Sequence, residues 1–114
     1  KYIDLFSLPQ QNKGVKTAWL AFPLVIKNNK IKRENLQIFL EKRGIQTRTI
    51  FTGNILRQPI MKRKKYFKHN KSEIVSNDVM KNGILIGCHH GLTKKNLGYI
   101  CESFNLFLKK NNLN

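Results

Sequence analysis

Two arginines of the sequence stand close to a short turn that could bind an anion. Arg48 and Arg57 flank Gly53 and Asn54. An arginine guanidinium binds phosphate or carboxylate oxygens in pairs, glycine lets the backbone approach a ligand closely, and an asparagine amide both donates and accepts hydrogen bonds. We therefore predict a ligand-binding site here, with Arg48, Asn54 and Arg57 as its candidate side chains. We expect neither Asn54 nor Arg57 to lie in the core.

Each of these residues also has a purely structural interpretation. Arg48 fits a surface position on a strand, and Arg57 fits a salt bridge within a helix or turn. Asn54 fits a left-handed turn, a conformation that asparagine tolerates well. The sequence leaves both interpretations open for Asn54 and Arg57, and it favours the structural one for Arg48.

A second group of chemically versatile side chains is Cys88, His89 and His90, with Cys101 further along the chain. These residue types bind zinc, but adjacent histidines of an extended segment point to opposite sides, and Cys101 falls on the apolar stripe of a predicted helix. The spacing therefore argues against a metal site and favours free thiols in a reducing compartment. For His90, a position facing a ligand cleft and a role as a cap before Thr93 fit the sequence equally well.

Positive charge dominates the composition, because 22 Lys and Arg residues oppose 6 Asp and Glu residues and give a formal net charge of +16. The densest stretch, residues 62–71, interleaves cations with aromatic rings and is the best local candidate for a nucleic-acid site. However, most of the excess is lysine, and the chain is also rich in Asn and Ile, whose codons share the A/T bias of lysine codons. Genome composition therefore explains the charge better, and a solvated loop is favoured for residues 62–71. A basic nucleic-acid-binding module is the alternative function.

The length and composition limit the class of protein. The chain has 114 residues, of which 40% are hydrophobic, and this is enough for one domain with a packed core. No apolar run approaches the roughly 20 residues that span a bilayer. Lys1 is not an initiator methionine, and no signal-peptide pattern follows it. We therefore expect a piece of a longer protein, and neither a membrane protein, a disulfide scaffold nor a collagen-like chain.

Hydrophobic patterning predicts three strands and three helices that alternate after an irregular entering segment or linker over residues 1–16. The strands cover residues 18–26, 45–51 and 84–88, and Pro23 predicts a bulge or an open edge in the first of them. This order indicates a compact α/β or α+β domain of two layers over residues 17–114, with the helices on one face of a small sheet.

The predicted helices differ in length. The first covers residues 33–43 and ends at Gly44, the second is short and ends at Asn82-Gly83, and the last begins after the N-cap residue Thr93. Residues 76–78 are the candidate caps of the short helix. We assign Trp19 and Phe22 to the core, together with a stripe of the last helix that contains Leu97, Ile100, Cys101, Phe104, Phe107 and Leu108.

Three clusters go beyond a general fold signal, because unusual residues occur in a fixed order and spacing. Together they resemble the C-terminal small domain of the DegT/DnrJ/EryC1/StrS family, over about residues 17–108. The flanks agree, since residues 18–23 resemble the family's first strand of this domain and residues 33–45 resemble its R-x-x-L-x-x-x-L-x-x-x-G-I helix. The clusters are Thr47-Arg48-x-x-Phe51-x-Gly53-Asn54-x-x-Arg57-Gln58-Pro59, Val75-x-Asn77-Asp78-x-Met80 and Gly87-Cys88-His89-His90-Gly91-Leu92-Thr93.

The resemblance implies a fold, a cofactor and a reaction. The fold would be the small domain of the aspartate-aminotransferase fold, with a small, mostly antiparallel sheet. The cofactor would be pyridoxal phosphate or pyridoxamine phosphate, held mainly by a large domain that this chain does not contain, so no catalytic residue is expected here. The cluster that begins at Thr47 looks like the 3-dehydrase branch, which includes CDP-4-keto-6-deoxyglucose 3-dehydrases of lipopolysaccharide dideoxysugar synthesis. An aminotransferase is the second choice.

The same resemblance implies a substrate, partners and a cellular place. A nucleotide sugar carries a diphosphate, which Arg48 and Arg57 would help to bind, while Asn54 would bind a sugar hydroxyl or keto oxygen and His90 would face the substrate cleft. The intact enzyme would be a cytoplasmic homodimer, and a 3-dehydrase would work with an iron-sulfur reductase. The isolated piece would be inactive.

Overall fold

A four-stranded antiparallel sheet forms the centre of the computed structural model, which describes residues 2–63 and 73–113. The strands are β1 (Phe6–Ser7), β2 (Ala21–Ile26), β3 (Thr47–Arg48) and β4 (Gly83–Gly87), in the order β1-β2-β4-β3. Every neighbouring pair is antiparallel. The predicted α+β architecture with a small antiparallel sheet is confirmed. Most of the basic stretch over residues 62–71 lies outside the described residues.

Five α-helices accompany the sheet in the described part of the chain. They are α1 (Tyr2–Leu5), α2 (Arg33–Lys42), α3 (Pro59–Lys62), α4 (Ile74–Asn82) and α5 (Lys94–Lys110), with a 3₁₀ turn over Ile55–Arg57. None of the helices within these ranges is long and apolar enough to cross a lipid bilayer.

The end of α2 follows the predicted pattern. Gly44 adopts φ +74°, a left-handed conformation in which glycine pays no steric penalty. The Gly44 amide donates to Glu41 O at 2.9 Å, and the Ile45 amide donates to Leu40 O at 3.0 Å. This pair of bonds is a Schellman motif, which satisfies carbonyl groups that the helix leaves free at its end.

The long β2–β4 pair fixes which face of the sheet is buried. Leu24 lies opposite Ile84, and both are buried, as is Ile26 on the same face of β2. The register stays regular through Pro23, so the expected bulge is absent from this described pair. Because β1 pairs only with residues 25 and 26, Pro23 faces an open stretch of the β2 edge, which was the other expectation.

Helices α2 and α5 cover this face and close the core. Phe104 and Phe107 of α5 contact Phe6 and Phe39 edge to face, with ring centroids 5.7 and 5.4 Å apart. The buried core consists of Phe6, Leu24, Ile26, Ile31, Leu36, Leu40, Ile45, Ile84, Ile86, Phe104, Phe107, Leu108 and Leu113.

The predicted stripe of α5 is buried only in its C-terminal half. Thr93 caps the helix as predicted and forms a capping box with Asn96. Toward the C-terminal end, residues 103, 104, 107 and 108 are buried, whereas Leu97 is 49% exposed and Cys101 is also exposed. The prediction is therefore wrong at Leu97 and Cys101, whereas Ile100 is partly buried and packs against the core.

The start of the chain differs from the irregular segment predicted over residues 1–16. Residues 2–7 form α1 and β1, and Phe6 is only 2% exposed. The Tyr2 hydroxyl donates to Asn105 Oδ1 of α5 at 2.6 Å, and Lys27 Nζ donates to Ile3 O at 2.7 Å. A strand of two residues is too short to show an alternating pattern in the sequence, although this one completes an edge of the sheet.

Two element boundaries and one core assignment also differ from their predictions. Strand β3 has two residues instead of seven, because among the described residues Thr47 and Arg48 alone of this segment pair with β4. Helix α4 begins at Ile74 after Glu73, so residues 76–78 lie inside the helix and are not its caps. Trp19 is half-buried outside the core, whereas Phe22 does pack against the core.

Candidate functional site

The predicted ligand turn sits directly on α4. The Gly53 amide donates to Ile50 O at 2.9 Å and closes the turn, with φ +44° at Phe51 and +65° at Gly53. A Cβ atom on Gly53 would lie 2.5 Å from Met80 Cβ, closer than two such atoms can approach. Glycine is therefore required here for two reasons, its left-handed backbone and its contact with Met80. The close approach that we expected toward a ligand is an approach to α4.

Asn54 is buried beneath this turn, with 3% of its surface exposed. Its Oδ1 accepts the Leu56 amide at 3.0 Å, while its Nδ2 donates to Glu73 Oε2 at 2.8 Å and to Asn77 Oδ1 at 2.9 Å. A buried amide needs such partners, because an unsatisfied one is costly. The expectation that Asn54 lies outside the buried interior is therefore wrong. Direct contact between Asn54 and a ligand stays a prediction.

Arg57 lies at the outer side of the same group of residues. Its Nε is 3.1 Å from Asn77 Oδ1 and 3.4 Å from Glu73 Oε2, while its side chain is 59% exposed. An ion pair at this exposure is worth only about 0–1 kcal/mol, so its contribution to stability is small. We call Asn54, Arg57, Glu73 and Asn77 the Asn54 cluster.

Arg48 occupies an exposed position on β3, opposite Leu85 of β4. Its neighbour Thr47 is buried and gives two hydrogen bonds to Glu41 Oε1, from its amide at 2.5 Å and from its hydroxyl at 2.8 Å. These two bonds, with a smaller contribution from the charge of Arg48, lower the pKa of Glu41 below its ordinary value, although partial desolvation opposes them.

His90 lies in the exposed turn that follows β4. Its ring lies edge to face with the ring of His89, with the two centroids 6.5 Å apart. His89 Nδ1 accepts a hydrogen bond from the Gly91 amide at 3.2 Å. Within residues 2–63 and 73–113, no hydrogen bond or ion pair joins His90 or Arg48 to the Asn54 cluster. The structure therefore brings together Asn54 and Arg57 of the four predicted residues.

The cysteines and histidines of the second group do not converge on one point. Cys88 is half-buried and Cys101 is exposed, and both are free thiols. Among the residues that the structure describes, no group of three or more His, Cys, Asp or Glu side chains could hold a metal ion.

Sequence reasoning missed the roles of Glu73 and Asn77. Asn77 was noted within a distinctive cluster of residues, but it was interpreted as a helix cap. The signal that was available is spacing: residues four apart on a helix share one face, and Glu73 and Asn77 are four apart. The partner segment could not be read from that spacing, because Asn54 lies 19 and 23 residues away from them.

A family model for the DegT/DnrJ/EryC1/StrS aminotransferase family matches residues 2–105 of the chain. Two curated proteins are similar in sequence. The lipopolysaccharide biosynthesis protein RfbH of Salmonella typhimurium is 31% identical over 110 residues, which are 95% of this chain and 25% of that protein. The dTDP-4-dehydro-2,6-dideoxy-D-glucose 3-dehydratase of Saccharopolyspora spinosa is 29% identical over 105 residues, which are 90% of this chain and 22% of that protein.

A solved structure shares the fold. The E. coli GDP-4-keto-6-deoxy-D-mannose-3-dehydratase with bound hydrated PLP superposes with a TM-score of 0.75 at 26% sequence identity. The match covers 88% of this chain and 25% of that chain. This chain therefore spans about a quarter of the length of the proteins that it matches.

Proposed function

Because this chain belongs to the DegT/DnrJ/EryC1/StrS aminotransferase family, we propose that it is the C-terminal small domain of an enzyme that acts on nucleotide sugars. The family match carries this proposal, since it extends over nearly the whole chain. In the intact protein, this domain helps to form the substrate cleft, and the chemical step belongs to residues outside the chain. We predicted an entering segment or linker over residues 1–16. In this proposal residues 2–7 are part of the small domain, which their contacts with α5 and β2 support.

The intact enzyme is a 3-dehydrase in this proposal, and an aminotransferase is the second choice. Two of the similar proteins are named as 3-dehydratases of deoxysugar nucleotides, and a third as a lipopolysaccharide biosynthesis protein. The sequence from Thr47 to Pro59 supports the same branch by resemblance. Formation of a lipopolysaccharide or other deoxysugar is the corresponding biosynthetic role.

Arg57 is the residue of this chain that binds the diphosphate of the substrate. Its side chain is 59% exposed, against 25% for that of Glu73, and arginine matches two phosphate oxygens at once. Arg48 and His90 are exposed and contribute further contacts. Asn54 supports the cluster from the protein interior, since its Oδ1 and its Nδ2 both already have hydrogen-bond partners.

The cofactor of the intact enzyme is pyridoxal phosphate or, in a 3-dehydrase, pyridoxamine phosphate. A cleft of about 450 Å³ does collect three cations of this chain, Lys32, Arg33 and Lys81. It does not fit the cofactor, because its lining in the described part of the chain contains no aromatic ring to stack on a pyridine. In addition, the terminal nitrogens of Arg33 donate to Met80 O at 2.7 Å and to Glu34 Oε1 at 3.4 Å. We assign cofactor binding to the rest of the enzyme and derive no step through it here.

The assembly and location follow the family resemblance. In this proposal the intact enzyme is a homodimer in the cytoplasm, and if it is a 3-dehydrase, its partner is an iron-sulfur reductase that supplies electrons. The alternative, a nucleic-acid-binding module, rests on the net charge of +16 and on the basic stretch over residues 62–71. Because charge bears on association and solubility and not on fold, the family match outweighs it.

The test replaces Arg57 in the full-length protein and follows turnover of the nucleotide-sugar substrate. Arg57→Ala should lower kcat/KM about tenfold or more, since a lost hydrogen bond to a charged group is worth about 1.5–3 kcal/mol. Lys42→Ala, which removes an exposed cation from α2, is the charge-matched control and should keep wild-type turnover. Wild-type turnover of Arg57→Ala would show that this turn is only scaffold.

A further inference from the structure

Among the described residues, the side-chain contacts of Arg57 use one of its three guanidinium nitrogens, Nε. Asn77 Oδ1 and Glu73 Oε2 both lie against Nε, at 3.1 and 3.4 Å. The two terminal nitrogens have no hydrogen-bond partner among the described residues. A guanidinium held at Nε therefore keeps a complete pair of terminal N–H groups for a ligand with two oxygens.

The two acceptors are themselves held in place. The Asn77 amide donates to Glu73 O at 2.9 Å, so Glu73, the N-cap residue of α4, is held against Asn77 in the first turn of that helix. Asn54 Nδ2 then donates one hydrogen bond to each of their side chains, at 2.8 and 2.9 Å. Asn54 is buried and accepts a hydrogen bond from the Leu56 amide, so its own side chain is held in one position and can hold Glu73 and Asn77 in turn.

The two acceptors also differ in charge. Glu73 is a carboxylate with a side chain that is 25% exposed, while Asn77 is neutral. A purely electrostatic partner for Arg57 would not require Asn77, because Glu73 already supplies the opposite charge. The neutral acceptor fixes a direction for Nε, whereas the carboxylate also reduces the net charge that Arg57 presents.

We propose that Glu73 and Asn77 are positioning residues, which orient Arg57 so that its terminal nitrogens face outward to bind two oxygens of the substrate diphosphate. This inference rests on the proposed function, in which Arg57 binds that diphosphate. An arginine that is already oriented loses less conformational freedom when the ligand binds. Asn77 and Glu73 thus act through Arg57 and do not contact the substrate.

The experiment is a double-mutant cycle in the full-length protein, with KM and kcat measured for the nucleotide sugar. Asn77→Ala should raise KM about tenfold with kcat little changed, because it loosens substrate binding without removing a reacting group. Asn77→Asp keeps an oxygen acceptor for Nε and should restore most of the lost affinity. Arg57→Lys lacks Nε, so adding Asn77→Ala to it should raise KM no further.

The outcomes separate the two proposals. If Arg57→Ala leaves KM unchanged, Arg57 does not bind the substrate and the proposed function of this turn fails. If Arg57→Ala raises KM but Arg57→Lys does not, the charge of Arg57 is sufficient for binding and positioning by Asn77 is wrong. If Arg57→Lys raises KM but Asn77→Ala adds its own full effect in the double variant, substrate binding by Arg57 stands and positioning by Asn77 is wrong.

A purely structural role has its own signature. Asn77→Ala would then lower the melting temperature, while KM of the folded enzyme would stay at the wild-type value. Glu73→Gln provides a second variant in case Asn77→Ala fails to fold, since it keeps an acceptor and removes only the charge. Glu73→Gln should raise KM less than Asn77→Ala does. A larger effect of Glu73→Gln would mean that the negative charge of Glu73, and not the orientation of Arg57, is what matters for substrate binding.

Discussion

The C-terminal half of α5 and the Asn54 cluster are both tied into the interior, but different interactions hold them. Phe104, Phe107 and Leu108 are buried against other apolar side chains, at 6%, 4% and 0% exposure. Asn54 is as deeply buried, at 3%, yet its contacts are hydrogen bonds to an amide, a carboxylate and a second asparagine. Apolar burial has no preferred direction, whereas each of these hydrogen bonds requires one partner in one geometry.

This difference suggests a division of labour within the domain. The apolar half of α5 supplies stability, because free energy rises with the apolar area that is removed from water. The Asn54 cluster contributes less to the free energy of folding, since its hydrogen bonds replace bonds to water and their net stabilisation is small. Its main contribution is to fix the positions of its side chains. The predictions below test that division, beginning with the largest effect.

Removing a core ring should show how much of the stability comes from α5. Phe104→Ala should lower the free energy of unfolding by about 3–5 kcal/mol, because the residue is buried and its ring packs edge to face on Phe6. Leu97→Ala on the exposed first turns of the same helix is the control and should cost under about 1 kcal/mol. Urea denaturation measures both, and equal losses would mean that the two halves of α5 are equally buried in solution.

The apolar C-terminal half of α5 was predictable from the sequence, because its apolar residues recur at helical spacing. Helix α5 repeats its apolar residues at helical spacing, Thr93 is a strong N-cap and Gly44 marks the end of α2, so local rules sufficed. The same rules overestimated the stripe, since periodicity shows which side of a helix is apolar but not how far a neighbour covers it. Leu97 is the residue where that limit appears.

The cluster was only partly predictable, because its partners are distant in sequence. The residue types and the family resemblance singled out Asn54 and Arg57, but no local pattern pairs them with Glu73 and Asn77. The burial of Asn54 follows from those pairs and from the seating of Gly53 on Met80, which only the folded structure displays. For the same reason the two-residue strand β1 went unpredicted, since its pairing with β2 is tertiary.

Removing the buried amide of the cluster should have an intermediate effect. Asn54→Ala leaves the Leu56 amide and two acceptors without this partner, so it should lower the free energy of unfolding by about 1–3 kcal/mol. Asn28→Ala is the control, because Asn28 makes one exposed hydrogen bond to the Lys30 amide and should cost about 0.5 kcal/mol or less. A loss for Asn54→Ala as large as that for Phe104→Ala would contradict the proposed division between stability and geometry.

The smallest predicted effect concerns a third kind of contact, a charged one at the edge of the sheet. Glu41 accepts two hydrogen bonds from Thr47 of β3, and these lower its pKa in the folded state. A carboxylate with a lowered folded pKa stabilises the fold above its unfolded pKa, which is about 4.3, and that contribution disappears as the pH falls through the lower folded value. The melting temperature of the wild type should therefore decline in this acidic range more than that of Glu41→Gln, which cannot ionise.

Glu102→Gln on α5 is the charge-matched control, and melting curves recorded between about pH 6 and pH 2.5 provide the comparison. If the curves of the wild type and Glu41→Gln stay parallel through that range, the Glu41–Thr47 contact does not stabilise the edge strand, and the sheet edge at β3 depends on apolar packing alone.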